Sequence, residues 1–236
     1  MRRMILRPRE LYRFLFKKGR GVGLFLLLWT FSSCGIDSYP VLYEPIPNYY
    51  STSIGFLHNH NNDPTSFLTL GYDIYYRIYN NENDDITDDI IIQDAQQHLT
   101  PIIDKLLNRI WTKDDLYWRI YLTNPKLEEK SPPVFKIANV SSLEYQINIV
   151  LNENNGSDNY IFNTYDSSKL YFSRYTGTNS EPKGYSKNDF SVDDFDVKES
   201  STKYKIAFFA LTYGLSTSYH QALHTNALYI GSIDIF

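Results

Sequence analysis

Cysteine occurs only once in the 236 residues, as Cys34, so no disulfide can form within the chain. The fold must instead be held by a hydrophobic core, for which 42% of the residues are apolar. Long hydrophobic runs are also missing. The apolar stretch at residues 22–31 spans ten residues, whereas a membrane-spanning helix needs about 20. A permanent transmembrane helix is therefore not expected.

Motifs for common enzyme chemistry are missing as well. The chain contains no Gly-x-Ser-x-Gly of serine hydrolases and no His-Glu-x-x-His of zinc proteases. A glycine-rich stretch at residues 19–23 lies inside the N-terminal leader, where it cannot serve as a phosphate loop. The sequence therefore predicts no cofactor and names no catalytic residue.

Basic residues are scarce outside the N-terminus. Residues 2–20 hold eight basic residues and one acid, and the whole chain has a net charge of −4, so the rest of the chain is near −11. Phosphate backbones demand clustered lysine and arginine. Nucleic acid is therefore disfavoured as a partner.

The N-terminus has the layout of a secretory signal, a basic segment followed by a short apolar run. The residues Phe31-Ser32-Ser33-Cys34 that end this run resemble the lipobox of bacterial lipoprotein signals, with phenylalanine in place of the usual leucine, as in the spirochaete form. The resemblance implies that residues 1–33 are a signal peptide and that Cys34 carries a diacylglyceryl thioether and an amide-linked acyl chain. The alternative is an ordinary cleaved signal that a cysteine happens to follow.

The segment that follows Cys34 contains Pro40, Pro45 and Pro47, which prevent a helix. We expect residues 34–50 to form an extended tether that runs into an edge strand. We expect residues 51–236 to form a single domain, because one hydrophobic core can support a chain of this length.

Alternation of apolar and polar residues predicts a mainly β domain. Helical spacing follows an acidic loop, from Ile92 to Ile110, with Thr87 as the N-cap and either a kink or a second helix beginning at Thr100-Pro101. The stretch at 176–201 is polar and is predicted to be a long loop. The predicted strands are 51–60, 67–79, 116–122, 145–151, 159–165, 169–175, 203–213 and 227–235, with a tight turn at Asn155-Gly156. Residues 67–79 have one apolar face, which predicts a half-buried strand, and residues 203–213 are apolar on both faces, as expected for a central strand.

Two of these strands resemble those of a fibronectin type III domain. Residues 204–211 (YKIAFFAL) match its strand F, which begins with a tyrosine and runs Tyr-x-Val-x-Val-x-Ala-Val, and residues 71–78 (GYDIYYRI) resemble its strand C. The resemblance implies that Tyr204 is a tyrosine corner, whose hydroxyl bonds to backbone upstream, that residues 214–226 are the F–G loop and that residues 227–235 are strand G.

The combination of GYDIYYRIY with the later FFALTYG looks like spirochaete lipoproteins that have a fibronectin-like core. The fold expected from it is a fibronectin type III/immunoglobulin-like β-sandwich. Residues 80–202 exceed what strands C′ to E need, and they are predicted to be a mixed α/β insertion that contains one kinked helix or a helix pair.

The paired histidines are the candidates for metal binding: His58, His60, His220 and His224. In an immunoglobulin-like sandwich the B–C and F–G loops lie at the same end, so a zinc site made of all four is geometrically conceivable. The simpler interpretation, that they are solvated loop histidines, is preferred.

The acidic clusters at 84–89 and 193–196 offer oxygen ligands for calcium but lack the spacing of an EF-hand, and we expect solvated loops there.

These features favour an exported, lipid-anchored binding or structural module of the cell envelope. The anchor could be in the inner or the outer membrane, and the domain could face the periplasm or the cell surface. Its expected partners are the membrane, through Cys34, and protein or glycan ligands. The 21 tyrosines suit an adaptable binding surface, but codon bias in an AT-rich genome is the preferred explanation for them. The alternative is a periplasmic or surface enzyme, which would need a pocket with convergent polar groups.

Overall fold

The structure is a computed structural model. It describes residues 42–48, 54–62, 67–103, 112, 114–124, 135–136, 146–151, 159–164, 167–174, 183–216 and 222–236, which all belong to the compact unit Pro40–Phe236. The predicted signal peptide and Cys34 lie outside these residues. Among the helices described, none has the length and apolar character needed to cross a membrane.

The described elements are mostly strands, in agreement with the prediction of a mainly β fold. The strands are β1 (Ile46–Pro47), β2 (Ile54–Leu57), β3 (Phe67–Asn80), β4 (Trp118–Arg119), β5 (Tyr121–Asn124), β6 (Phe135–Lys136), β7 (Gln146–Val150), β8 (Tyr160–Asn163), β9 (Lys169–Ser173), β10 (Tyr204–Ser216), β11 (Ala222–His224) and β12 (Leu228–Ile235). The helix is α1 (Asp88–His98), and short 3₁₀ turns lie at His60–Asn62, Thr100–Ile102 and Lys187–Asp189.

The strands form two antiparallel sheets. Sheet A has the order β1-β2-β7-β8-β9-β5. Sheet B is built on the long pair β3 and β10, with β4 and β6 on the far edge of β3 and with β11 and β12 on the far edge of β10. Residues 80–202, predicted to be an insertion, therefore supply α1 and also strands to both sheets.

The two sheets meet at both edges. On one side the chain leaves β4 of sheet B and, after Ile120, enters β5 of sheet A, so the alternating stretch at 116–122 is divided between the sheets. On the other side β12 approaches β2 at Gly231, where φ is +134° and an added Cβ would lie 3.4 Å from Cγ1 of Ile54. A glycine fits this position because L-residues rarely adopt that φ and because the strands are close.

The central strands β3 and β10 are buried on both faces. We predicted this for β10, but the prediction that β3 is half-buried is wrong, because Asp73 and Tyr75 on its second face are as inaccessible as Tyr72 on its first. Tyr72 faces sheet A, where its ring packs edge-on against Phe56 of β2 with centroids 4.8 Å apart. The opposite face is buried because Tyr117 packs on Phe209 of β10, with centroids 5.5 Å apart.

Helix α1 begins as predicted. Thr87 is its N-cap and accepts a hydrogen bond at Oγ1 from the amide of Ile90, and Ile91 and Ala95 form its buried side. The expected break at Pro101 is present as a 3₁₀ turn, but Leu99 rather than Thr100 is the N-cap of that turn. The predicted continuation towards residue 110 lies outside the described residues beyond Ile103.

Two predicted irregular segments are more ordered than expected. The predicted tether runs into the edge strand β1, as expected. However, the backbone of Tyr43 already exchanges hydrogen bonds with the Asn62 side chain, so the chain contacts the domain earlier than predicted. The prediction that 214–226 is entirely a loop is wrong, because β10 continues to Ser216 and pairs there with β11. Strand β10 is long enough to pair with β12 first and β11 afterwards.

Candidate functional site

The predicted metal-binding histidines are found in different surroundings. His58 is buried, and its Nδ1 lies 2.5 Å from the hydroxyl of Tyr72. His60 lies in the first 3₁₀ turn, His224 lies on strand β11 rather than in a loop, and His220 lies outside the described residues. Within the described part of the chain, no three or more His, Cys, Asp or Glu side chains are grouped to hold a metal ion. For His58, the prediction of a solvated loop histidine is wrong, since its ring is packed beneath Tyr72.

The acidic cluster at 193–196 is not the solvated loop that its sequence predicts. Asp193 is exposed, but Asp194 and Asp196 are only 4% and 2% exposed. Both contact Arg174, which is fully buried at the end of β9. The other acidic cluster does face solvent, with Asp84, Asp85, Asp88 and Asp89 all exposed.

Arg174 is the centre of a buried charge cluster, hereafter the Arg174 cluster. Its guanidinium binds Asp196 in a bidentate manner, with Nε to Oδ2 at 2.9 Å and Nη2 to Oδ1 at 2.7 Å. Nη2 also donates to Asp194 at 2.9 Å, and Nη1 donates to the carbonyl of Asp189 at 2.8 Å. Lys183 Nζ lies 2.7 Å from the second oxygen of Asp194. The buried Arg174 and the partly exposed Lys183 therefore balance the two buried carboxylates, as buried charges require.

The Arg174 cluster joins the polar segment 183–197 to both sheets. Arg174 follows β9 of sheet A, and the Tyr76 hydroxyl of β3 in sheet B donates to Asp196 at 2.6 Å. Burial and the nearby Asp196 carboxylate raise the pKa of Tyr76, which keeps this hydroxyl protonated as a donor. Burial alone would lower the pKa of Arg174, but the bonds to Asp196 and the surrounding negative charge raise it. Residues 183–197, which were predicted to belong to a long polar loop, are thus held in place by buried contacts with both sheets.

A second cluster, hereafter the Asp94 cluster, fixes α1 to the outer face of sheet B. One carboxylate, that of Asp94, accepts hydrogen bonds from Arg77 Nη1 and from the hydroxyls of Tyr79 and Tyr117, and lies 3.0 Å from His98 Nδ1. The Arg77 guanidinium also lies over both tyrosine rings, 4.7 Å and 5.3 Å from their centroids. Burial is the main cause that raises the pKa of Tyr79 and of Tyr117.

Sequence reasoning missed the Asp94 cluster, although some of its geometry is readable. Arg77 and Tyr79 are two residues apart on a strand and so share a face, and Asp94 and His98 are four apart on a helix and so are neighbours. What the sequence does not give is the pairing of that helix side with that strand face. A separate buried ion pair lies on the same face of sheet B, where Arg119 Nε donates to Asp73 Oδ1 at 2.6 Å.

Tyr204 opens β10 and is buried, with its hydroxyl accepting a hydrogen bond from the Ser201 amide at 3.0 Å. Its ring stacks on that of Phe190, with centroids 4.8 Å apart and planes 24° from parallel.

The outer face of sheet A differs from all of these charged clusters. The pairing of β2, β7, β8 and β9 places two rows of side chains there, and we call this surface the aromatic–amide face. The first row is Gly55, Asn148, Phe162 and Lys169, and the second is Val150, Tyr160 and Tyr171. Leu57 and Gln146 extend it by one further pair.

The apolar members of this face lie outside the core. Tyr160, Phe162 and Tyr171 are half-buried, and neither they nor Val150 and Leu57 belong to the hydrophobic cluster between the sheets or to the side chains packed against it. The rings of Tyr160 and Tyr171 are cross-strand neighbours, with centroids 5.9 Å apart and planes at 59°. The Lys169 ammonium lies 4.4 Å from the centroid of the Tyr160 ring. The face can therefore offer aromatic and amide groups for noncovalent contact.

Comparisons of this chain with protein-family models, with curated proteins and with solved structures find no match.

Proposed function

We propose that this chain is an exported, lipid-anchored binding module of the cell envelope, with a fibronectin type III-like sandwich as its core. The observation that carries the binding role is the aromatic–amide face, because its aromatic side chains belong to no described core. The charged side chains of the Arg174 cluster, of the Asp94 cluster and of the Asp73–Arg119 pair, by contrast, bind one another.

The order of the strands supports the fibronectin-like core. In immunoglobulin-like sandwiches, strands C, F and G are neighbours in one sheet, and strands A, B and E are neighbours in the other. Here β3, β10 and β12 are neighbours in that order, and so are β1, β2 and β7. The bond between Tyr204 and Ser201 supports the same assignment, since strand F is the one that opens with the corner tyrosine. Strands β8, β9 and β5 then extend the A-B-E sheet.

The anchor rests on the motif Phe31-Ser32-Ser33-Cys34. Each buried methylene group of a lipid chain contributes about 0.8 kcal/mol, and a single acyl chain gives only reversible binding. Three chains on one cysteine would hold a body whose charge is near −11 at a membrane, despite repulsion from anionic head groups.

The experiment that tests the anchor is the Cys34→Ser variant, which removes the thiol acceptor and keeps the size of the side chain. We expect the native protein in the membrane fraction, with acyl chains on its N-terminal peptide in mass spectrometry, and the variant outside that fraction without acylation. A variant that stays in the membrane fraction, or a native N-terminal peptide that carries no lipid, would refute the lipoprotein proposal.

One observation favours the alternative of an envelope enzyme. The Asp94 cluster is partly accessible, with exposures of 17% for Asp94 and 19% for Arg77, and it contains tyrosines of raised pKa next to His98. Perturbed groups of this kind concentrate at active sites. However, Arg77 and Tyr79 donate to Asp94 from β3, and Tyr117 donates to it from the residue before β4. This is the geometry of a point at which α1 is attached to sheet B. The binding role is therefore preferred.

A further inference from the structure

We propose that the aromatic–amide face binds a neutral polysaccharide chain, an inference that rests on the proposed function as a binding module. A sugar ring presents apolar C–H groups on its faces and hydroxyl groups around its edge. A surface that recognises such rings needs aromatic planes next to groups that both donate and accept hydrogen bonds.

The aromatic part of the face is provided by β8 and β9. Tyr160 and Tyr171 stand side by side across the two strands, and Phe162 follows Tyr160 on the same side of β8. All three residues are half-buried and belong to strands of one sheet, which fixes their backbone positions. Tyrosine adds a hydroxyl to an apolar ring, so one side chain can contact both the face and the edge of a sugar.

The amide part is provided by β7 and is held in position. Asn148 Oδ1 accepts a hydrogen bond from Gln146 Nε2 at 2.7 Å. The same oxygen lies over Gly55 of the neighbouring strand, where an added Cβ would come within 2.9 Å of it and within 2.4 Å of the Ile147 carbonyl. Glycine at 55 therefore lets the amide lie against the sheet. Asparagine and glutamine amides donate and accept hydrogen bonds, as sugar hydroxyls do, and fixed amides lose less freedom on binding.

The charge of the face selects among possible occupants. Of the outward-facing residues in the two rows, Lys169 is the charged one, and no carboxylate stands among them. A basic peptide would therefore find no acid to pair with there. An acidic polymer would be repelled by a body whose net charge is near −11. An uncharged polymer meets neither penalty, and this complementarity favours a neutral glycan.

The test uses the purified full-length protein in detergent, titrated calorimetrically with chitohexaose and with cellohexaose. We expect saturable binding of at least one of these neutral oligosaccharides. Tyr160→Ala and Tyr171→Ala should each weaken it at least tenfold, and Tyr160→Phe, which keeps the ring, should weaken it less than Tyr160→Ala. The matched control is Tyr43→Ala, which removes an exposed tyrosine away from the rows and should leave the affinity unchanged. Urea midpoints of all variants establish that each is folded.

Four results would overturn the proposal. They are an absence of binding to both oligosaccharides, unchanged affinity in folded Tyr160→Ala and Tyr171→Ala, tighter binding of heparin than of either neutral oligosaccharide, and a dimer in light scattering that Tyr171→Ala dissociates. The last result would mean that a second copy of the chain occupies the face. None of these results affects the fractionation of Cys34→Ser, so the lipid anchor is tested independently of the glycan-binding proposal.

Discussion

The outer faces of the two sheets carry different coverings. On sheet B, α1 and Tyr117 lie over the strands, and the helix is attached through Asp94 to Arg77 and Tyr79 of β3. On sheet A, the rows that include Tyr160 and Tyr171 lie outside the core cluster. The same alternation along a strand thus leads to complete burial on one sheet and partial exposure on the other.

The covered face shows what burial requires of polar residues. Asp73 is fully buried on β3 and binds Arg119, and Arg77 binds Asp94. A charged group removed from water destabilises the fold by several kcal/mol unless a partner compensates it. On the aromatic–amide face a charged group stays in contact with water and needs no buried partner. Its charged side chain, Lys169, is exposed and lies over the ring of Tyr160.

Alkaline titration should have the largest effect, and three of the buried tyrosines that it ionises lie on the covered face. Burial raises the pKa of Tyr75, Tyr79 and Tyr117 above the value of about 10 for an exposed tyrosine. Since the folded-state pKa is the higher one, their contribution to stability is complete below about pH 10 and is lost as the pH rises above it. We expect the phenolate absorbance of these residues to appear together with the loss of far-ultraviolet circular dichroism. Complete ionisation of all tyrosines with unchanged circular dichroism would contradict their burial.

A pair of ring deletions tests the comparison directly. Phe209→Ala removes a fully buried ring from the covered face and should lower the free energy of unfolding by about 3–5 kcal/mol. Tyr171→Ala removes a half-exposed ring from the aromatic–amide face and should lower it by about 1 kcal/mol, the value of an exposed cross-strand pair. Urea unfolding measures both. Equal losses would show that the two faces are equally buried.

The attachment of α1 should have an intermediate effect. Asp94→Ala removes the carboxylate that accepts from Arg77, Tyr79 and Tyr117, and bonds to a charged partner are worth about 1.5–3 kcal/mol. We expect the free energy of unfolding to fall by about 2–3 kcal/mol, with faster amide exchange in α1. The matched control is Asp85→Ala, in the exposed acidic loop, which should leave the urea midpoint unchanged. A loss as large in Asp85→Ala would mean that net charge, rather than attachment, is responsible.

Much of the fold could be predicted from local patterns. The long alternation at 67–79 and the apolar run at 203–213 predicted β3 and β10, and Thr87 predicted the start of α1. These features depend on spacing along the chain, which the sequence displays directly. The division of 116–122 between two sheets at Ile120 depends on sheet closure, and no residue in that stretch marks it.

The charged clusters could not be predicted for the same reason. Asp194 and Asp196 stand in a polar, acidic stretch that is typical of a solvated loop, yet they are buried because Arg174, which directly follows β9, requires partners. The aromatic–amide face was likewise hidden, because the sequence shows alternation at 159–165 but not which side of the strand meets the core. Long-range pairing decides burial at each of these positions.

The smallest expected effect concerns Tyr204, at the start of β10 in sheet B. Tyr204→Phe keeps the ring that stacks on Phe190 and removes only the hydroxyl that accepts from the Ser201 amide. A net hydrogen bond contributes about 1 kcal/mol, so the free energy of unfolding should fall by about that amount. Tyr43→Phe, which alters an exposed side chain, should leave the urea midpoint unchanged. Because stacking is preserved, a loss in Tyr204→Phe alone isolates the corner bond, whereas equal midpoints in both variants would remove Tyr204 as support for a fibronectin-like strand F.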